Sequence, residues 1–335
     1  MKNETPQLND RYNRVIDYLR ISITNHCNLR CRYCVPFDGR PKLPMSDILT
    51  YEELFSVAKA AVAAGVTKIR ITGGEPLMRR NMLEFCRMLR TLPQIADLAV
   101  TTNGVLLETM AGDLKAAGVN RVNVSLDTLD AARYADITGT DCLERVLRGI
   151  RKAMQVGLEP LKINMVPLRG INEDDIVDMA RWSLTAPVDI RFIELMPTSG
   201  WAMHRHRQCY MPVDEIRNHV ERIGPLEAVN QIETRGPATY ARLPGAKGRI
   251  GFISAISHSF CSTCNRLRLT ADGKLRACLF AEQEIDIKGP LRRGADLQAL
   301  KAIIQSTALA KPARHQLDSE HPTPINGRMM RSIGG

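Results

Sequence analysis

The sequence predicts an α/β fold: an open, partial (β/α)6 TIM-type barrel with a small β-containing C-terminal extension covering its lateral opening. Three observations carry this. Six short β-branched runs alternate with segments of helical period up to about residue 211, the pattern of a parallel sheet with crossover helices. Glycine-rich or polar loops follow one run after another, at the strand ends where parallel α/β proteins place their chemistry. Six units also fall short of the eight that close a full barrel, which leaves a mouth.

The runs are Leu19 to Thr24, Lys68 to Thr72, Leu98 to Thr102, Arg121 to Ser125, Leu161 to Val166 and Ile190 to Leu195. The first leads into a loop with Cys27, Cys31 and Cys34, spaced C-x3-C-x2-C. Three thiolates there can each ligate one iron of a cubane and leave the fourth iron open to a small molecule. Zinc is the competing assignment, with His26 as a fourth ligand. The spacing matches no common zinc pattern, and a His adjacent to Cys27 is poorly placed to share its tetrahedron.

Next, Thr50-Tyr51-Glu52-Glu53 carries a capping-box signal for a helix from Tyr51 to Ala64 that ends at Gly65. The second run leads into Gly73-Gly74-Glu75-Pro76, where glycines allow close backbone approach and Glu75 can accept a hydrogen bond from a ligand amine. The third ends in Thr101-Thr102-Asn103-Gly104, the fourth in Ser125-Leu126-Asp127 and the sixth in Glu194-Leu195-Met196-Pro197. Helices are expected over Cys142 to Val156 and Asn172 to Leu184. Each loop alone reads as a turn; their recurrence after successive strands reads as a site. Arg20, Arg70 and Lys162 interrupt otherwise apolar runs. Facing inward, each needs an anionic partner or a desolvation penalty of roughly several kcal/mol.

The chain divides into 1–211, the barrel with an N-terminal arm, and 212–335, the extension. In the extension, Pro237 to Leu279 reads as short strands with turns at Leu243-Pro244-Gly245 and Ala271-Asp272-Gly273-Lys274. It carries a second set, Cys261, Cys264 and Cys278, spaced C-x2-C-x13-C. Two assignments stand: a zinc ribbon completed by His258, or a second cluster with its own open iron.

With 335 residues, 44% of them hydrophobic, the chain can bury a substantial core. It has no run of eighteen apolar residues, and Met1 to Thr5 shows no apolar secretory segment, so a cytoplasmic protein with no membrane partner is expected. Nine cysteines there argue for reduced thiols and metal ligation; Cys86, Cys142 and Cys209 stand alone as small apolar residues. A net charge of +10 with only 5% aromatics favours a compact polyanion over nucleic acid, which needs stacking platforms. The basic run His204 to Arg207 reads as a solvated loop.

The first cysteine loop resembles the radical S-adenosylmethionine (radical SAM) signature. The segments Gly248 to Ile253, Phe260 to Phe280 and Ile333-Gly334-Gly335 resemble the GTP 3′,8-cyclase family of molybdenum cofactor biosynthesis, and the likeness runs from about Asp10 to the last residue. It implies two [4Fe-4S] clusters, one on Cys27, Cys31 and Cys34 for SAM cleavage, the other on Cys261, Cys264 and Cys278 for substrate. It further implies SAM contacts at Tyr33, Gly74, Ser125 and Met196. GTP contacts are implied at Arg20, Arg70, Thr101, Lys162, Arg266, Leu267 and Arg268, with Lys68 and Arg191 as further candidates.

No side chain is implied as an acid or base. The implied reaction is a lyase-type cyclisation: a 5′-deoxyadenosyl radical takes the C3′ hydrogen of GTP, C3′ attacks C8, and (8S)-3′,8-cyclo-7,8-dihydroguanosine 5′-triphosphate results. An external flavodoxin- or ferredoxin-type one-electron donor, transfer of product to molybdenum cofactor biosynthesis protein C, a homodimer and a tail reaching into the site belong to the same resemblance. Asn25-His26 and Tyr12-Asn13 depart from it, since relatives often carry Asp before the first cysteine and Phe-Gly in the arm. The rival functions are a radical SAM enzyme with an auxiliary cluster acting on a peptide, and a non-catalytic RNA-binding metalloprotein.

Overall fold

The structure, a computed structural model, describes residues 6–34, 43–229, 236–317 and 330–334. Met1 to Thr5 and Gly335, named above, lie outside the described residues. The six expected strands form as β1 (Tyr18–Ser22), β2 (Lys68–Thr72), β3 (Asp97–Thr102), β4 (Arg121–Ser125), β5 (Leu161–Met165) and β6 (Val188–Ile193). The crossovers are α1 (Tyr51–Ala64), α2 (Met82–Arg90), α3 (Leu107–Ala116), α4 (Ala131–Thr138), α5 (Leu143–Gln155) and α6 (Asp175–Thr185). The capping box of α1 is formed: Glu53 N donates to Thr50 Oγ1 at 3.2 Å and Thr50 N donates to Glu53 Oε2 at 2.8 Å. The helix stops at Gly65, with φ +116°, where a Cβ would fall 2.2 Å from Pro6 O.

Beyond β6 come α7 (Gly200–Cys209), α8 (Val213–Glu221), β7 (Glu227–Ala228), β8 (Thr239–Arg242), β9 (Arg249–Ile253), β10 (Arg266–Leu269), β11 (Lys274–Arg276) and β12 (Ile285–Asp286). Three helices follow: α9 (Lys288–Arg292), α10 (Leu297–Leu309) and α11 (Met330–Ile333). The strand order is β12-β11-β10-β1-β2-β3-β4-β5-β6-β9-β8-β7. The extension therefore does more than lie over the mouth. It adds a parallel strand at each rim, β10 beside β1 and β9 beside β6. The reason is legible after the fact: Ile250 and Phe252, Leu267 and Leu269 repeat the alternation of the barrel strands and enter the same core. Among the described residues β9 and β10 do not pair, so the sheet stays open.

Parallel strands covered on both faces usually read as continuous apolar runs. These alternate, because their inner face is polar. Leu19, Ile21, Ile69, Ile71, Leu98, Val100, Val122, Val124, Ile163 and Ile190 are buried in the main core. The intervening positions, Arg20, Arg70, Thr101, Asn123, Lys162 and Arg191, turn toward the lumen.

The basic run from His204 to Arg207 is not a loop but part of α7, whose N-cap Ser199 accepts from Ala202 N at 3.1 Å. His206 is fully buried, donating from Nε2 to Leu195 O at 3.0 Å and stacking on Tyr210. The run is amphipathic, and charge alone conceals its buried side. No helix among the described residues is long and apolar enough to cross a membrane.

Candidate active site in the barrel

The first cysteine loop is held from two sides. Gly74 N donates to Thr24 O and Glu75 N to His26 O, each at 2.7 Å. A Cβ at Gly74 would fall 2.3 Å from His26 O, so this close approach requires glycine. Opposite, Arg30 N and Arg32 N donate to Thr138 O and Ile137 O at 2.9 and 3.0 Å, at the end of α4. Asn103 Nδ2 donates to Asn28 Oδ1 at 2.8 Å and reaches Cys27 Sγ at 3.7 Å. Cys27, Cys31 and Cys34 are half-buried. Burial, then the neighbouring Cys34, Asp127 and Cys27, push the Cys31 thiol well up. Crowded thiols that resist ionisation on their own give up their protons to a bound cation, and an all-thiolate loop with both flanks anchored fits an iron–sulfur cluster. Among the described residues, no group of three or more His, Cys, Asp or Glu side chains is drawn together as the ligands of a single metal ion are.

Glu75 is not offered to a ligand amine. It is fully buried, with Oε1 accepting from Leu77 N at 3.0 Å and Thr102 Oγ1 at 2.8 Å, and Oε2 from Asn103 N at 2.6 Å. It ties the loop after β2 to the loop after β3, a role invisible until the two loops are adjacent. Burial raises its pKa to about 7 in spite of these donors, whereas an unfolded glutamate titrates near about 4.3. Between about pH 4 and 7 the folded chain holds a proton that the unfolded chain has released. The contribution of this group is therefore greatest at the acid end and declines as pH rises through that window. The urea midpoint of the wild-type chain is expected to fall between about pH 5 and pH 7.5 relative to that of Glu75→Gln, which has no group to titrate there. Parallel pH profiles would show Glu75 ionised throughout.

Tyr33, Ser125 and Met196 share a cavity of about 230 Å³ with Asp127, Asn164 and Val166; Gly74 is not among its lining residues and packs instead against the backbone of Asn25 and His26. Tyr33 is locked by donating to Asp127 Oδ2 at 2.6 Å, while Asp127 Oδ1 accepts from Val166 N at 2.9 Å. Burial raises Asp127 to about 6 against the pull of the Tyr33 hydroxyl.

Arg20, Arg70, Thr101, Arg191, Arg266 and Arg268 line the same cavity. A second cavity, about 450 Å³, abuts it at the N-terminal ends of the strands and is lined by Lys68, Arg70, Arg121, Lys162, Arg191 and Arg249. At this lower rim carboxylates balance the charge. Arg121 pairs with Asp97 at 2.5 Å, and Arg249 with Asp189 and Lys68 with Asp17 at 2.8 Å each. Higher in the lumen, Arg70 lies over the Tyr18 ring and Lys162 over the Tyr240 ring. Burial, then neighbouring cations, push Arg20 well down, Arg268 to about 9 and Lys162 to about 7; burial brings Arg70 to about 10. A guanidinium does not surrender its proton near neutrality, so this mutual repulsion is a standing demand for a polyanion. Leu267 is placed differently: its side chain is fully buried in the core behind β10, leaving only its backbone toward the lumen side.

Of the first cysteine loop Tyr33 reaches this space, and the second cysteine set lines it directly. Cys261, Cys264 and Cys278 line the 230 Å³ cavity, the first two on the connection between β9 and β10. Burial opposes the Cys264 thiolate, but Arg266 and Lys311 outweigh it and lower its pKa to about 6. Arg266 Nη2 lies 3.7 Å from Cys264 Sγ. Burial opposes the Cys261 thiolate too, but His315 outweighs it and lowers its pKa; three half-buried thiols, two of them inclined to ionise, suit a second thiolate-ligated cluster. His258 does not complete a zinc set: it is exposed, 2.9 Å from Asp214 Oδ2. His315, which composition gave no reason to select, lines the cavity instead, donating from Nε2 to Ala255 O at 2.8 Å and accepting at Nδ1 from Leu317 N at 3.2 Å.

The C-terminal tail enters the barrel mouth. Arg268 Nη1 donates to Gly334 O at 2.5 Å, and Ile333 is fully buried against Leu279, Phe280 and Met196. Gly334 has φ +85°, and a Cβ there would fall 2.7 Å from Thr72 Cγ2 and 3.0 Å from Ser22 Cβ.

Residues 21–183 match the family model described as Radical SAM superfamily, and residues 188–317 that described as Molybdenum Cofactor Synthesis C. The chain is 47% identical over 328 residues to the GTP 3′,8-cyclase of Moorella thermoacetica, and 48% identical over 336 residues to that of Pelotomaculum thermopropionicum. Each alignment covers 98% of this chain and 100% of the relative. The fold is similar to that of Streptococcus suis SuiB bound to S-adenosylmethionine, with a TM-score of 0.58 at 16% identity over 88% of this chain and 69% of that one.

Proposed function

The chain belongs to the GTP 3′,8-cyclase family of radical SAM enzymes, and from this we propose that it converts GTP to (8S)-3′,8-cyclo-7,8-dihydroguanosine 5′-triphosphate in molybdenum cofactor biosynthesis. The observation that carries the reading is one lumen lined by the second cysteine triad, by Tyr33 of the first cysteine loop, and by arginines and lysines along its shaft. A nucleoside triphosphate matches it end to end.

Cys27, Cys31 and Cys34 would hold one [4Fe-4S] cluster and Cys261, Cys264 and Cys278 the other; with SAM bound, the first supplies a 5′-deoxyadenosyl radical. Tyr33, Gly74, Ser125 and Met196 seat SAM. Arg20, Arg70, Lys162, Arg266 and Arg268, with Lys68, Arg191 and Thr101, take the substrate. Charge-assisted hydrogen bonds from several strands fix the triphosphate. The base is held toward the second cysteine set, which leaves the ribose C3′ hydrogen turned to the SAM side. Such positioning, rather than acid–base chemistry, is the protein's contribution. The reducing electron comes from an external flavodoxin- or ferredoxin-type donor, the product passes to molybdenum cofactor biosynthesis protein C, and the chain acts in the cytoplasm. Family resemblance supports these last assignments.

The test is anaerobic turnover of the reconstituted, reduced protein with SAM and GTP. About eight irons per chain, and 5′-deoxyadenosine formed in step with the cyclised nucleotide, are expected. SAM cleavage that leaves GTP unaltered would sink the reading. Removing one buried cation should act on binding first: Arg70→Ala is expected to raise KM for GTP by about 10–100-fold, since hydrogen bonds to charged groups contribute about 1.5–3 kcal/mol. An unchanged KM would place the triphosphate elsewhere.

A further inference from the structure

Two buried cations, Arg14 and Lys311, hold the segments around the second cysteine set, and Lys311 also lines the 230 Å³ cavity. Arg14 spans from the N-terminal arm, donating to Cys261 O at 2.7 Å, Ala313 O at 3.0 Å and Pro312 O at 2.6 Å. It carries its own counter-ion, with Nε 2.5 Å from Asp10 Oδ2. Lys311 makes the matching clamp: its Nζ donates to Arg266 O at 2.8 Å and to Ala277 O at 2.6 Å. These carbonyls lie two residues after Cys264 and one before Cys278, so a single ammonium bridges the two segments whose cysteines must converge.

Lys311 is only 3% exposed, and among the described residues no carboxylate pairs with it. Two carbonyl dipoles do not neutralise a buried ammonium. The anionic groups within reach are the thiols of Cys264 and Cys278. We propose that Lys311 is a positioning residue for the metal group on Cys261, Cys264 and Cys278, fixing the separation of its ligands and supplying a buried positive charge that balances an anionic cluster. This rests on the two-cluster reading above. A cation so placed favours the more reduced, more negative state of the cluster. Removing it makes that cluster harder to reduce.

The experiment isolates the second site by replacing Cys27, Cys31 and Cys34 with alanine, then compares Lys311 with Lys311→Met and Lys311→Gln in that background. Iron per chain, the reduction midpoint followed by electron paramagnetic resonance, and circular dichroism are measured. The parent is expected to hold about four irons. Lys311→Met should lose at least half of them, and what remains should be reduced at a more negative potential. Lys311→Gln, which keeps donors without the charge, should keep more iron but show the same negative shift. A folded Lys311→Met with parental iron and midpoint overturns the proposal while leaving the function intact. Should Lys311→Met not fold, a parental midpoint in Lys311→Gln overturns it equally. A parent without iron removes the two-cluster reading, and this inference with it.

Discussion

Cys31→Ala is expected to abolish 5′-deoxyadenosine formation and to lower iron from about eight to about four per chain, whereas Cys264→Ala should lose the same amount of iron, keep SAM cleavage and yield no cyclised nucleotide. The contrast follows from position. Cys31 lies mid-loop, its backbone carbonyl accepting from Cys34 N at 2.9 Å, so its sulfur is central to the first set. Removing it leaves two thiolates for a group that needs three. Cys264 belongs to the connection between β9 and β10, beside Arg266 and remote in sequence from the loop after β1. Its loss leaves the Gly74 and Glu75 contacts to the first loop intact. Iron analysis and product analysis of both variants check this. Simultaneous loss of both clusters in either variant would mean that the two sets are one structural unit.

Gly334→Val is expected to lower kcat by about 10²-fold or more, the usual scale for misplacing a reacting group by about 1 Å, with little change in melting temperature. Two constraints meet at this residue. Its φ of +85° disfavours a β-branched residue, and its Cα packs so tightly on Thr72 and Ser22 that a Cβ has no space. Valine would lift the tail out of the mouth and release Arg268 from Gly334 O. Of the six barrel strands the tail meets β1 and β2 at their ends, and its buried Ile333 belongs to a small cluster apart from the main core, so the core stays folded. Steady-state kinetics with both substrates, beside a thermal melt, test it; full kcat would show the docked tail to be dispensable.

Much of the fold was legible in advance. The six barrel strands and the helix from Tyr51 to Ala64 appear where periodicity and the capping box put them, because both signals are local. The two cysteine spacings and the inward cations Arg20, Arg70 and Lys162 were legible for the same reason. Other features were not. Glu75 looked like a ligand-facing acid but spends both oxygens on neighbouring loops. The helix over His204 to Arg207 hides a buried histidine among charges. Tyr18 and His315 gave no motif, and the segments of β9, β10 and Asp127, though singled out, did not disclose their sheet pairing or hydrogen-bond partners, since these come from residues far away in the chain.

By itself the sequence determined the parts: six soft thiolates at cluster spacing, strands whose alternation turns a polar face inward, and glycines where backbone must touch backbone. These depend on residue type and on intervals of a few positions. Tertiary structure alone decided that Tyr33 of the first cysteine loop and the second cysteine set line one lumen, that Arg14 reaches Cys261 O across 247 positions, and that Lys311 and Gly334 end beside the site. Carbonyl capture and burial depend on where the backbone passes, and no side-chain pattern records that.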